Sequence, residues 1–283
     1  MKKSFSEDVQ KLLIEMEYRN YSPRSVISYC QTMQAMENRL FKRLSEIKEA
    51  DLKRYLHELI THKKCSNSSI NQHISAYKIF VQDILKQDWE SIRINRPRRV
   101  QKLPVVLSLG EVESLITTQR NIKHKAMIVL MYSAGLRLQE VLQMKPSAID
   151  SERMQIHVSQ GKGKKDRYTI LSQKCLDLLR IHFKTNRPKV YLFEPQHKSG
   201  QPVSDTTLQH IVKKAAEKAG LKKDISCHTL RHSFATHLLE KGINIKLIQQ
   251  FLGHTSLKTT SIYLHLTNAN PERVKSPLED MHI

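Results

Sequence analysis

Cysteine is scarce and scattered in this chain. Cys30, Cys65, Cys175 and Cys227 stand far apart, and no two form a Cys-x-x-Cys pair. That excludes a disulfide scaffold and a zinc ribbon, and it suits reduced thiols in cytoplasm. Long apolar runs are also missing. The longest, Ala126 to Leu136, is interrupted by Tyr132, Ser133 and Gly135. It is too short to span a bilayer and reads as a buried helix, so no membrane association is expected. The chain starts basic at Met1-Lys2-Lys3, but no apolar core follows, and no signal peptide is expected. There is no internal repeat and no low-complexity tract. Clustered carboxylates that would suggest a required metal are absent as well.

What the chain has in excess is positive charge. Lys and Arg total 47 against 27 Asp and Glu, a formal charge of +20. The first hundred residues and the remainder both carry a surplus. A chain basic along its whole length favours an extended polyanion, most often nucleic acid. A ribosome-associated or merely basic protein would have the same balance, so charge alone leaves that reading open. With 39% apolar residues the chain can bury a real core, and 283 residues suit one large domain or two ordinary ones.

Residues 1–95 read as an all-α domain with short polar joints. Ser22-Pro23 opens one helix with a hydroxyl cap and a proline at the first helical position. Val26, Ile27, Tyr29, Met33 and Met36 follow near helical period. Another helix runs from about Ala50 to His62 with Leu52, Tyr55, Leu56 and Leu59 on one face. A further one follows Ser66 and carries Ile70, Ile74, Tyr77, Phe80 and Ile84. Pro97 and Pro104, set among Arg96, Arg98, Arg99 and Lys102, cannot sit inside a helix. Residues 96–107 are therefore expected to be a basic linker lying along phosphates, although an ordinary surface loop would look the same.

Residues 108–283 read as mixed α and β. Ser108 begins a helix, the apolar helix 126–134 follows, and Gly135 breaks the pattern. Met154 to Ser159 alternates as a strand and Tyr168 to Leu171 looks like its partner. Between them lies the glycine-bearing turn Gly161-Lys162-Gly163-Lys164-Lys165-Asp166-Arg167. Everything after Ser204 reads as helix.

One segment, Cys227 to Leu239, carries candidate chemistry. Leu230, Phe234 and Leu238 share a face and should be core. His228 and Arg231, three apart, project together. That pair suits a phosphate: the guanidinium fork binds two oxygens and the imidazole moves a proton. His228 and His232 stand at i,i+4, a spacing that can hold zinc. The intervening Thr229-Leu230-Arg231 lacks the glutamate of a metalloprotease motif. Further on come Leu252-Gly253-His254 and, nine residues later, Tyr263.

With Gly135-Leu136-Arg137-Leu138-Gln139-Glu140 and Gly161-Lys162-Gly163 upstream, the pattern resembles the tyrosine recombinase family, which includes phage-type integrases and Xer-type recombinases. Six positions are filled in the family's order, and the likeness covers about residues 108–270. The N-terminal part resembles the family's core-binding (SAM-like) domain only in size and helicity. The resemblance implies a mainly α fold with a small β-sheet: an α+β catalytic domain over residues 108–283, and a two-domain DNA clamp.

It also implies roles. Tyr263 would be the nucleophile, storing the phosphodiester as a 3′-phosphotyrosyl link. Arg137 and Arg231 would answer the charge of the transition state with planar donors. Lys162 would be the general acid, with Lys164 or Lys165 in its place if the alignment slips. His228 would accept the tyrosine proton or hydrogen-bond the phosphate, His254 would donate to the phosphate, and Glu140 would brace the site. No cofactor is implied. The expected partners are double-stranded DNA and further copies of the chain, a dimer on each site and a tetramer in the synapse. The tail from Leu264 to Ile283 would dock on a neighbouring copy.

The expected setting is cytoplasmic, at the nucleoid, in a mobile-element or Xer-like system. The lack of an arm-binding domain before residue 1 favours a simple recombinase over a phage λ-like integrase. A catalytically inactive DNA-binding regulator and a type IB topoisomerase-like relaxing enzyme would share this scaffold. Binding without cleavage would mark the first, and sequence-independent relaxation of supercoils the second.

Overall fold

The computed structural model describes residues 5–92, 94–97, 103–159 and 166–266. The chain divides between Lys102 and Leu103 into two compact units. The first is all-helical: α1 (Glu7–Tyr18), α2 (Pro23–Leu40), α3 (Glu49–Thr61) and α4 (Asn67–Ile79), the last continuing through one wider π turn at Phe80–Ile84. Serine hydroxyls start three of them. Ser6 accepts from the N–H of Val9, Ser22 from Ser25 and Ser66 from Ser69, satisfying donors that a helix start leaves free. Pro23 occupies the first turn of α2, where no N–H is needed.

Leu12, Met16, Met33, Leu52, Ile74 and Phe80 close the core of this unit. Tyr77 is buried there too, and its hydroxyl donates to the Ile47 carbonyl at 2.8 Å. Ile27, which the period put on the apolar stripe, is instead 53% exposed. The buried row is Val26, Cys30 and Met33, and Ile27 lies one residue, about 100°, off it.

The second unit contains α5 (Leu109–Thr117), α6 (Ile122–Ala134), α7 (Leu138–Leu142), α8 (Gln173–Asn186), α9 (Asp205–Lys218), α10 (Cys227–Glu240), α11 (Ile245–Leu252) and α12 (Leu257–Thr260). A 3₁₀ segment at Ser261–His265 follows α12. The sheet is antiparallel in the order β1 (Ile149–Asp150), β2 (Gln155–Val158), β3 (Arg167–Ile170). Gln155 faces Ile170 and Val158 faces Arg167. The fold is thus mainly α with a small sheet. The expected strand at Met154–Ser159 is shorter because Met154 has φ of 51° and belongs to the preceding turn. Strand β1 went unforeseen, since two residues carry no periodicity. Among the described residues, the expected helix after Ser204 is divided into four, broken at loops that include Gly220, Gly242 and Gly253. The turn bearing Lys162, Lys164 and Lys165, and the tail 267–283, lie outside the described residues.

Helix α6 is buried on nearly every side, with Ala126, Met127, Ile128, Leu130 and Met131 in the core. It packs on α8 and α10, which is where an apolar helix without a polar face must go. The proline-containing segment ends at Leu107, which is fully buried and donates its N–H to Ser233 Oγ at 2.9 Å. No helix among the described residues is long and apolar enough to cross a membrane.

Gly135 ends α6 with φ of 61°, and a Cβ there would sit 2.4 Å from the Phe234 ring of α10. Both the left-handed backbone and the helix contact therefore require glycine. Gly135→Ala should lower unfolding free energy by about 2–5 kcal/mol, combining left-handed strain with overpacking. Urea denaturation measures this, and an unchanged midpoint would refute the packing account.

Candidate active site

The site is assembled where several helix ends meet. Arg137 immediately precedes α7, and its backbone N–H donates to Glu140 Oε2 at 2.8 Å, the reach-back contact of a helix start. Its Nη1 donates to Glu140 Oε1, also at 2.8 Å. Arg167, opening β3, grips the same carboxylate with two prongs: Nη1 to Oε1 and Nη2 to Oε2, each 2.7 Å. Arg231, on the second turn of α10, brings Nη1 to within 3.9 Å of Glu140 Oε2. Three guanidinium groups therefore surround one carboxylate. Glu140, Arg167 and Arg231 have side chains only 7%, 8% and 3% exposed, against 19% for Arg137.

Helix C-termini supply the remaining acceptors. Arg231 donates through Nη1 to the Gly135 carbonyl at 2.6 Å and through Nη2 to the Leu252 carbonyl at 2.5 Å. Arg137 Nη2 reaches the Gly253 carbonyl at 3.3 Å, and Arg167 Nε the Phe251 carbonyl at 2.8 Å. Gly135 caps α6 and Gly253 caps α11, so the negative ends of two helices face the cations. Gly253 has a second role. With φ of 61°, a Cβ on it would lie 2.6 Å from Arg167 Cδ, so the arginine passes only because no side chain is there.

Burial alone would raise the Glu140 carboxyl, but hydrogen bonds and charge from Arg167, with Arg137 adding to them, hold it down at about 2. Burial, then the neighbouring Arg137, lowers Arg231 to about 9. It stays charged at neutral pH. The cluster carries a net positive charge that one carboxylate cannot cancel, and such a surplus suits an anion.

His254 follows Gly253 and uses both ring nitrogens. Arg231 Nη2 lies 3.0 Å from Nε2, and a guanidinium can only donate, so Nε2 accepts. Nδ1 then carries the proton and donates to the buried Thr260 hydroxyl at 3.0 Å. Burial first, then Arg231, Arg137 and Arg167, lowers this imidazole to about 3.

Tyr263, in the 3₁₀ segment, is 2% exposed, and its hydroxyl lies 3.0 Å from His232 Nδ1. Burial pushes its pKa up, while the charges of Arg231 and Arg137 pull against that. His228 is exposed on α10 one turn before His232, their ring centres 6.3 Å apart. Desolvation, then Arg231 and Arg137, lowers its pKa.

Arg231 thus meets His254 directly, Arg137 and Arg231 share Glu140, and His228 and Tyr263 lie within electrostatic range of both arginines. Lys162 lies outside the described residues. Sequence reasoning missed three partners. Arg167 closes the carboxylate cage, Thr260 orients His254, and His232 holds the tyrosine oxygen. Only His232 left a signal, the i,i+4 spacing from His228. No group of three His, Cys, Asp or Glu that could hold a metal occurs among the described residues.

A family model described as "Phage integrase family" matches residues 106–270, and one described as "Phage integrase, N-terminal SAM-like domain" matches residues 9–91. A "Tyrosine recombinase" of Thermosipho africanus is 33% identical over 261 residues, 88% of this chain and 91% of its own length. "Tyrosine recombinase XerC" of Lactobacillus delbrueckii subsp. bulgaricus is 32% identical over 270 residues, covering 88% of this chain and 90% of its own. The crystal structure of XerH site-specific recombinase bound to difH substrate shares the fold, with TM-score 0.71 and 24% identity over 93% of this chain and 81% of that one.

Glu140→Gln would leave two buried guanidinium groups and a partly buried third without a counter-charge, and stability at neutral pH should fall by about 3 kcal/mol. The folded pKa, about 2, lies below the ordinary 4.5. The wild-type advantage should therefore be complete above pH 4.5 and fade as pH drops toward 2. Unfolding curves of both proteins across that range test this, and a difference independent of pH would refute the charge account.

Proposed function

The chain belongs to the phage integrase family of tyrosine recombinases, and from that we propose that it cuts and rejoins duplex DNA at specific sites through a 3′-phosphotyrosyl intermediate. The observation that carries this reading is the convergence of Arg137 and Arg231 on one carboxylate, with Tyr263 within range of both charges. In our reading, the scissile phosphate approaches the arginine cluster, and its non-bridging oxygens take guanidinium donors from Arg137 and Arg231. Arg137, the most open of the cluster, is the first available to it. Glu140 and Arg167 are buried against each other and serve as the brace.

The reaction conserves the bond. The Tyr263 oxygen gives up its proton to a neighbouring base and attacks phosphorus, the P–O5′ bond breaks, and the departing oxygen takes a proton from Lys162, which lies between β2 and β3 in the sequence. A 5′ hydroxyl from the partner strand then attacks the phosphotyrosine and frees the phenol. His228, on the open side of α10, hydrogen-bonds the phosphate. His254 joins it once the phosphate draws Arg231 away. The Thr260 hydroxyl can accept or donate, so it tolerates either tautomer of that histidine. No cofactor enters the scheme.

The XerH structure is bound to difH substrate, and the Tn1549 transposon integrase, of the same fold, is in complex with transposon right end DNA, which supports DNA as the ligand here. Both units are basic, and each would hold the duplex through phosphate contacts, residues 96–107 lying along the backbone between them. We place a dimer on each site and a tetramer in the synapse, with the tail to Ile283 engaging a neighbouring copy. The expected setting is the cytoplasm, at the nucleoid.

On a nicked duplex bearing its site, the wild-type protein should form a covalent adduct that survives denaturing electrophoresis, and Tyr263→Phe should form none. An adduct from that variant would overturn the nucleophile assignment. Arg137→Lys and Arg231→Lys should each slow single-turnover cleavage by about 10²–10³, because an ammonium cannot replace the planar fork. Sequence-independent relaxation of supercoiled plasmid would instead support a topoisomerase.

A further inference from the structure

We propose that His232, through Nδ1, is the group that receives the Tyr263 proton during strand cleavage. The inference rests on the reading of Tyr263 as nucleophile and adds a catalytic residue to it. Tyr263 is almost wholly buried, and the hydrogen-bond partner found for its hydroxyl is this imidazole nitrogen, at 3.0 Å. The two rings are 5.7 Å apart at 51°, a tilted contact that keeps Nδ1 beside the oxygen. A phenol must lose its proton as it attacks, and a buried one needs an acceptor already in place.

The other histidines fit this task less well. His254 has Nε2 occupied by Arg231 and Nδ1 by Thr260. His228 is exposed and stands one turn away from His232 on the same helix. His232 directly follows Arg231 on α10, so the proton acceptor and an anion-binding guanidinium ride on one packed helix, which fixes their geometry.

The surroundings keep the acceptor unprotonated. Burial comes first, then His228 and Arg231 on its own helix, and together they push His232 down to about 4. From other elements, Tyr263 faces it through the hydrogen bond and His254 lies within electrostatic range. At neutral pH the ring is free to accept. An arriving phosphodiester offsets the positive charge of Arg231 and raises the affinity of His232 for a proton. In the step itself, the Tyr263 O–H bond breaks and the proton moves to Nδ1. The phenol oxygen bonds to phosphorus and the P–O5′ bond breaks, with Lys162 protonating the leaving oxygen. On rejoining, the 5′ hydroxyl gives its proton back to Lys162 as it attacks, the P–O(Tyr) bond breaks, and the proton on His232 returns to the phenol.

The test separates holding the phenol from taking its proton. In His232→Asn the amide oxygen can accept the same hydrogen bond but cannot be protonated. Single-turnover cleavage of the nicked duplex should fall at least about 100-fold at neutral pH, with DNA affinity unchanged and the deficit shrinking as pH rises. A duplex with sulfur in place of the bridging 5′ oxygen has a leaving group that needs no proton. It should restore Lys162→Ala and leave His232→Asn slow.

Wild-type-rate cleavage by His232→Asn, or its rescue by sulfur, would overturn the proposal. Should the variant fold poorly, the wild-type protein answers the question. On the sulfur substrate its rate should still decline on the acid side as His232 protonates, and a flat profile there would overturn the proposal. If wild-type protein formed no adduct at all, the Tyr263 reading would fall, and this one with it. An active wild type beside an unimpaired His232→Asn would overturn only the role of His232.

Discussion

The site depends on one buried carboxylate held among three guanidinium groups. Glu140 takes both prongs of Arg167, a side-chain bond and a backbone bond from Arg137, and lies 3.9 Å from Arg231. Alone in the interior, any of these charges would be strongly unfavourable. Together they leave a surplus of positive charge whose natural complement is an anion from outside. The same carboxylate ties α7 to β3, so the arginine cluster and the fold around it are stabilised by a single set of contacts.

Two glycines make that arrangement possible. Gly135 lets α6 end against α10 and aims its own carbonyl at Arg231. Gly253 ends α11, leaves room for Arg167, and offers its carbonyl to Arg137. Both stand in the left-handed region, where a helix can stop abruptly and present its last carbonyls. The glycines of the two short motifs are therefore structural parts of the arginine cluster, although they contribute no side chain to it.

Tyr263 and His232 form a second, smaller polar pair beside this cluster. Burial disfavours the phenolate, the arginines favour it, and an imidazole waits at the oxygen. The tyrosine is thus held neutral and shielded, with the charges needed to stabilise its anion already close by. An incoming phosphate would change that balance without any large movement of α10, since the proton acceptor and Arg231 are consecutive residues.

Much of this was legible in the linear chain. Helix starts at Ser22-Pro23 and Ser108, the buried helix through Ala126 to Ala134 and the pairing of β2 with β3 all follow from local rules, because capping, φ restriction and periodicity act between near neighbours. The identities of Arg137, His228, Arg231, His254 and Tyr263 as candidates came from spacing and resemblance, which record order along the chain. Sequence alone did not place Arg167 against Glu140, Thr260 behind His254, or the tyrosine oxygen on His232 and not on His228. Those are choices among partners separated by 6 to 31 positions in the chain. They are decided when helix ends converge and each buried polar atom must find a donor or acceptor, a condition that exists only once the second unit has packed.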